Sequence, residues 1–113
     1  MESFIDLNKD QGLWKKVIQE GSGTAPSKNS TVVINYKAAH ENERIFEDVD
    51  NFKFKINCGD VIKAFEQGVQ TMKKGELSVF VVRHDYAYGK EEYTSIPPFS
   101  TLIYCIELVE IIN

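Results

Sequence analysis

An α+β fold, one antiparallel sheet curled around a single short helix, is what this sequence predicts. Two observations predict it. Most of the chain alternates apolar and polar residues with period two, or runs β-branched residues together, as strands do. One segment alone, "DVIKAFEQGVQTM" (60–72), spaces its apolar residues by three and four. One helix cannot cover both faces of a large sheet, but it can fill the concave face of a sheet that curls around it. The 113 residues suffice for one domain, 1–113, with 1–12 read as a polar N-terminal extension.

The elements follow in order. "LWKKVI" (13–18) reads as a short strand. "EGSGTAPSKNS" (20–30) is a loop, because its glycines, proline and small polar residues break any period. In "TVVINYKAAH" (31–40), Val32, Ile34, Tyr36 and Ala38 share one face. "RIFED" (44–48) follows. "FKFKI" (52–56) then alternates strictly, with Phe52, Phe54 and Ile56 on an aromatic inner face. The helix places Val61, Ile62, Phe65, Val69 and Met72 on one stripe. Asp60 is its expected N-cap, and Gly75, after Lys73 and Lys74, its expected stop. Gly68 inside it reads as a weakness of roughly 1 kcal/mol against alanine. "ELSVFVVRH" (76–84) and "STLIYCIELVEII" (100–112) are apolar on both faces, as central strands are.

Composition narrows the function. The chain is 42% hydrophobic and 12% aromatic, so it builds a true core. A net charge of −4 argues against nucleic acid and against a membrane surface, both of which favour a basic face. No stretch reaches the roughly 18 apolar residues of a membrane helix. The start "MESFIDLNKDQG" lacks the layout of a targeting signal. Cys58 and Cys105 are too few for a disulfide scaffold, and His40 and His84 are isolated, reading as surface residues without zinc spacing. Reduced thiols, a cytoplasmic location, no metal, no cofactor and a monomer are the expectations.

Three separated motifs, "VIKAFEQGVQTMKKGE", "DYAYG" and "IPPFSTLIYCIEL", carry a resemblance. Their Val-Ile helix start, the aromatic four residues after the Val, "MxxGE", "YAYG" and "IPP…L…EL" resemble the FKBP family, the immunophilins that bind tacrolimus and rapamycin. The resemblance runs from Gly12 to Ile111, and the start "DLNKDQGLWKKVIQEGSG" is most similar to FKBP domains of large multidomain members. It implies a half-barrel of five or six antiparallel strands wrapped on one helix. It also implies isomerisation of Xaa-Pro bonds, with proline-containing peptides or proteins as partners, tacrolimus or rapamycin as ligands, and a role in protein folding as a chaperone.

Rotation about a prolyl bond needs no nucleophile, metal or cofactor. The barrier of about 18–20 kcal/mol is the loss of amide resonance. A catalyst must therefore favour the twisted amide, which an apolar pocket and a few fixed donors do. By resemblance the catalytic residues are Tyr36, Phe46, Glu47, Phe65 and Tyr88, and the substrate- or drug-binding residues are Phe52, Val61, Ile62, Ile96 and Tyr104. Phe65 would be the floor under the proline ring, with Tyr36, Phe46 and Tyr104 as walls. The Ile62 N–H and the Tyr88 hydroxyl would donate to substrate carbonyls. Tyr86, by contrast, reads as packing or turn structure, Phe54 as core, and Pro97-Pro98 as a rigid turn with a cis bond open as an alternative.

The sequence departs from the family pattern in four places. Phe65 stands where Trp is usual, and Glu47 where Asp is usual. The segment between Phe46 and Phe52, "EDVDN", is short. The loop after Tyr88, "GKEEYTS", is charged and lacks the usual glycines. These departures imply weakened catalysis or drug binding. They keep a second reading open, a catalytically impaired FKBP-like protein-binding module of a larger co-chaperone, with tetratricopeptide repeats beyond Asn113.

Overall fold

The computed structural model describes residues 3–90 and 96–112. Six strands form one antiparallel sheet: β1 (Ile5–Asp6), β2 (Leu13–Gln19), β3 (Thr31–His40), β4 (Ile45–Lys55), β5 (Leu77–Val82) and β6 (Leu102–Ile112). Their order across the sheet is β1-β2-β5-β6-β3-β4. The sole helix among the described residues, α1 (Lys63–Val69), lies on the inner face, and a 3-10 turn (His84–Tyr86) follows β5. The fold is the α+β arrangement expected. β5 and β6 are central, each paired on both sides, which accounts for their apolar residues on two faces.

The period-two pattern sets the core. Val32, Ile34 and Ala38 of β3, Phe80 and Val82 of β5, and Leu102, Tyr104, Ile106 and Leu108 of β6 all turn inward and are buried. Phe54 and Ile56 join them, while Lys53 and Lys55 face solvent. Segments 44–48 and 52–56, expected as separate pieces, are one continuous strand. The register slips by one residue between Ile34 and Tyr36 and again between Ala38 and Ala39, so β4 absorbs the "EDVDN" segment as bulges instead of a loop. Asn51 takes φ +57° at the first slip, and its N–H donates to Asn35 Oδ1 at 2.8 Å.

The helix differs from expectation at both ends. It begins at Lys63, with Ile62 as an extended N-cap (φ −64°, ψ 157°) and no side-chain cap bond, so Asp60 is not the cap. Glu66 does the bracing instead: its Oε2 accepts the Asn57 N–H at 2.6 Å and ties the 57–62 turn to the first helical turn. The helix ends at Val69, before Lys73, Lys74 and Gly75. Gly75 (φ +87°) turns the chain into β5, its N–H donating to Leu108 O at 2.8 Å.

Gly68 faces the sheet. A Cβ there would lie 2.9 Å from Phe80 Cε2, so hydrogen is what lets α1 settle on the Phe80 ring. Near the same corner, Lys15 and Glu76 are both buried and pair at 2.8 Å. Lys15 also donates to Thr71 O, and Glu76 accepts from Ser78 Oγ and from the Lys73 N–H. Every ionic oxygen of Glu76 is thus matched, as a buried carboxylate requires.

Within the segment read as a polar extension, the described residues 3–12 carry structure of their own. Residues 5–6 form the edge strand β1, and Leu7 N–H donates to Leu13 O at 2.9 Å. His40 and His84 are half-buried, not surface residues: His40 lies 4.6 Å from the Phe46 ring, and His84 meets Phe99 edge-on at 5.1 Å. The Pro97 and Pro98 peptide bonds are trans. Cys58 and Cys105 are free thiols, and burial pushes the Cys105 thiol up from its usual range. No described helix is long and apolar enough to cross a membrane.

Two stability outcomes follow. Gly68→Ala should destabilise the fold by about 1–3 kcal/mol in urea unfolding, through overpacking on Phe80. Helix propensity alone would give a gain of about 1 kcal/mol, so the sign decides. Lys15→Met should cost about 3–5 kcal/mol by leaving Glu76 buried and unpaired, and Lys15→Met with Glu76→Leu should recover most of it in the same assay.

Candidate functional site

Phe65 lies at the centre of an aromatic box. Its ring meets Tyr36 at 4.9 Å and 68° and Tyr104 at 5.2 Å and 83°, both edge-to-face. Phe54 stacks on it at 5.9 Å, and Phe52 is tilted at 6.1 Å. Edge-to-face pairs at this distance are favoured by the ring quadrupole and fix each ring against its neighbour. Three strands and the helix contribute to this cluster: β3 (Tyr36), β4 (Phe52, Phe54), β6 (Tyr104) and α1 (Phe65).

Above the box opens a cavity of about 610 Å³. Its lining is Tyr36, Glu47, Phe52, Gly59, Asp60, Val61, Ile62, Lys63, Phe65, Ala87 and Tyr88. Of the residues singled out from the sequence, Tyr36, Glu47, Phe52, Val61, Ile62, Phe65 and Tyr88 therefore reach this cavity. Phe46, Ile96 and Tyr104 do not line it. Phe46 is turned toward His40, while Ile96 and Tyr104 are almost fully buried. Tyr104 supports the box from beneath, at 5.2 Å from Phe65 and 6.0 Å from Tyr36.

Polar groups share the lining with the aromatic rings. Tyr36 Oη donates to Glu47 Oε2 at 3.2 Å, across the β3–β4 pair in which Ala38 faces Glu47. The Ile62 carbonyl accepts from the Phe65 and Glu66 N–H groups at 3.0 and 3.2 Å. Its own N–H precedes the helix and finds no acceptor among the described residues, so it is available to a ligand carbonyl at the first turn. Burial pushes the Tyr104 phenol well above the usual range, with the neighbouring Tyr88 phenol adding to the rise. No hydrogen bond of normal geometry reaches the Tyr104 oxygen among the described residues. The phenol stays neutral, and the box carries no charge beneath the cavity.

Tyr88 leaves the turn that starts at His84, where Gly89 N–H donates to His84 O at 2.7 Å. Tyr86, two residues earlier, is buried, and its hydroxyl donates to Asp10 Oδ2 at 2.5 Å. Its role is structural, as its place in "DYAYG" suggests. Gly59, Asp60, Lys63 and Ala87 are lining residues that sequence reasoning did not single out for the site. Asp60 is freed to face the cavity by the helix starting two residues later than its period suggested. Glu91, Glu92 and Tyr93 of the charged loop lie outside the described residues.

A curled antiparallel sheet, one short helix and an open, uncharged aromatic box define a small binding or isomerising domain of the immunophilin kind. The family of FKBP-type peptidyl-prolyl cis-trans isomerases matches residues 22–109. FK506-binding protein 1 of Yarrowia lipolytica is 37% identical over 88% of this chain and 98% of its own length. FK506-binding protein 59 of Drosophila melanogaster is 37% identical over 93% of this chain, which spans only 25% of that protein. A crystal structure of a peptidyl-prolyl cis-trans isomerase from Pseudomonas syringae superposes with a TM-score of 0.89 at 25% identity, covering all of this chain and 84% of the other. Escherichia coli FkpA gives 0.88 at 29% identity, over all of this chain and 53% of that one. The chain belongs to the FKBP family and is an FKBP-type peptidyl-prolyl isomerase domain.

Truncating the floor tests the box. Phe65→Ala removes a ring with four aromatic neighbours and should cost about 3–5 kcal/mol in thermal or urea unfolding. Phe65→Leu, which keeps an apolar floor, should cost much less.

Proposed function

We propose that this chain catalyses cis–trans rotation of Xaa-Pro bonds in exposed segments of proteins, with the proline ring seated on Phe65. The observation that carries this reading is the aromatic box beneath a cavity lined by Ile62, whose backbone N–H finds no acceptor among the described residues. A proline ring is apolar and flat enough to replace water over Phe65. The amide nitrogen, once twisted, loses conjugation and gains little from bulk water, so transfer into an apolar site favours the twisted state over the planar one. The Ile62 N–H and the Tyr88 hydroxyl hold the flanking carbonyls, so rotation proceeds about a fixed frame. Glu47, held against Tyr36, orders the β3–β4 wall. Tyr104 acts from behind the lining by fixing the Phe65 and Tyr36 rings.

Tacrolimus and rapamycin are the proposed ligand class, since family members bind them in this kind of site. The exposed thiol of Cys58 and the lack of any disulfide among the described residues fit a reducing, cytoplasmic setting. A second reading is a binding module with little catalysis. It is favoured by the cavity mouth, where Glu47, Asp60 and Lys63 give more polar surface than a proline ring needs.

The deciding experiment is a protease-coupled isomerisation assay on a Xaa-Pro peptide, with and without rapamycin, beside Tyr88→Phe. The uncatalysed reaction takes tens to hundreds of seconds, so acceleration is readily seen. Acceleration that rapamycin abolishes, with a loss of about tenfold in Tyr88→Phe, is expected. Kinetics unchanged by micromolar folded protein would overturn the isomerase reading in favour of the binding module.

A further inference from the structure

Two walls of the cavity come from segments that are not neighbours in the sheet. Phe65 stands on α1, and Tyr88 on the turn after β5. Something must hold them at a fixed separation, because donors work only when their distance from the reacting group is set in advance. Side chains from the segment before β2 make that link. The Asn8 amide donates to Gln67 Oε1 at 2.6 Å and to Tyr86 Oη at 3.2 Å. Gln67 is two residues past Phe65, and Tyr86 two residues before Tyr88. Asp10 Oδ2 accepts from Tyr86 Oη at 2.5 Å, so both bonds converge on one phenol.

The segment is itself braced. Asp10 Oδ1 accepts from Gly12 N–H at 3.0 Å, and Asp6 Oδ2 from Gln11 N–H at 2.9 Å. Arg83 Nη1 donates to Asp10 O at 2.8 Å, and its guanidinium holds Asp85 through two further bonds. Gly12 lies flat on Tyr86: a Cβ there would overlap the Tyr86 ring. The Tyr86 hydroxyl bond, the largest influence on Asp10, holds that carboxyl below its usual range, so the acceptor stays ionised. None of Asn8, Asp10 or Tyr86 lines the cavity.

We propose that Asn8 and Asp10 are positioning residues for the isomerase site, acting through Tyr86 and Gln67 to clasp the Tyr88 wall to the Phe65 floor. This rests on the isomerase reading for its kinetic consequence, though not for its structural one. Substrate binding uses the apolar floor, which remains. Donor alignment matters more as the amide twists, so loosening the clasp lowers kcat more than it raises KM.

The experiment uses the full chain and three variants, Asn8→Ala, Asp10→Ala and Tyr86→Phe, with the Asp10→Ala/Tyr86→Phe double. Steady-state kinetics on a Xaa-Pro peptide are read beside aromatic NMR of Tyr88 and Phe65 at a temperature where all variants are folded. Each single variant should lower kcat by about two- to tenfold, the scale of one or two lost hydrogen bonds, with KM changed by less than about twofold. The double should be no worse than Tyr86→Phe alone, because Asp10 acts through that hydroxyl. The Tyr88 ring resonances should shift in all of them. Variants that melt earlier yet keep wild-type kcat and Tyr88 resonances would overturn the clasp. An inactive wild type would overturn the isomerase reading instead, and the Tyr88 and Phe65 resonances would still decide the clasp.

Discussion

The contact between α1 and the sheet is what the rest of this structure depends on. Seven helical residues are too few to be stable alone, so the helix exists because the sheet holds it. Gly68 brings its backbone onto Phe80, and one turn earlier Phe65 drops its ring between Tyr36, Tyr104 and Phe54. The same packing that forms the helix therefore places the floor of the cavity. The first-turn N–H of Ile62 is positioned by the same event, since its carbonyl already belongs to the helix.

Polar contacts at the edges of the core set the geometry around that contact. Lys15 and Glu76 join β2, β5 and the turn after α1 in one buried pair, with the remaining lone pairs taken by Ser78 and Lys73. Glu66 ties the 57–62 turn to the helix, and Asn8 with Asp10 ties the Tyr86 turn to it from the other side. These bonds add less than the apolar core to stability, but they decide where the cavity walls stand. A site that works by alignment and desolvation, with no reactive group, is more sensitive to such placement than to any single side chain in its lining.

The chemistry of the site is spare for the same reason. The rings packed around Phe65 are uncharged, and the Tyr104 phenol among them is held neutral by burial. Among the described residues, the charged side chains that line the cavity are Glu47, Asp60 and Lys63, with Asp60 and Lys63 exposed. An uncharged floor with charges at its rim favours a proline ring inward and polar flanking residues outward. It leaves partner preference to the rim, where this chain departs from the family pattern at Glu47.

The fold class and the strand faces were legible in the sequence. Period-two and period-three-to-four patterns report which side of an element meets apolar surroundings, and "VIKAF", "DYAYG" and "IPPF" sit at spacings that resemble one family. That Phe65, Tyr36, Phe52 and Tyr88 would line one cavity was legible on that basis. Tertiary structure decided the rest. Phe46 turned to His40 because the register slip after Ala38 re-aims it. Asp60 became a cavity residue because the helix starts at Lys63 with Ile62 as its cap, which leaves Asp60 in the preceding turn. Gly68, a defect by propensity, became a point of closest approach, and Lys15 and Glu76, surface residues by type, became a buried pair. Each of these depends on what a distant strand or turn places opposite the residue, and no local pattern along the chain carries that information.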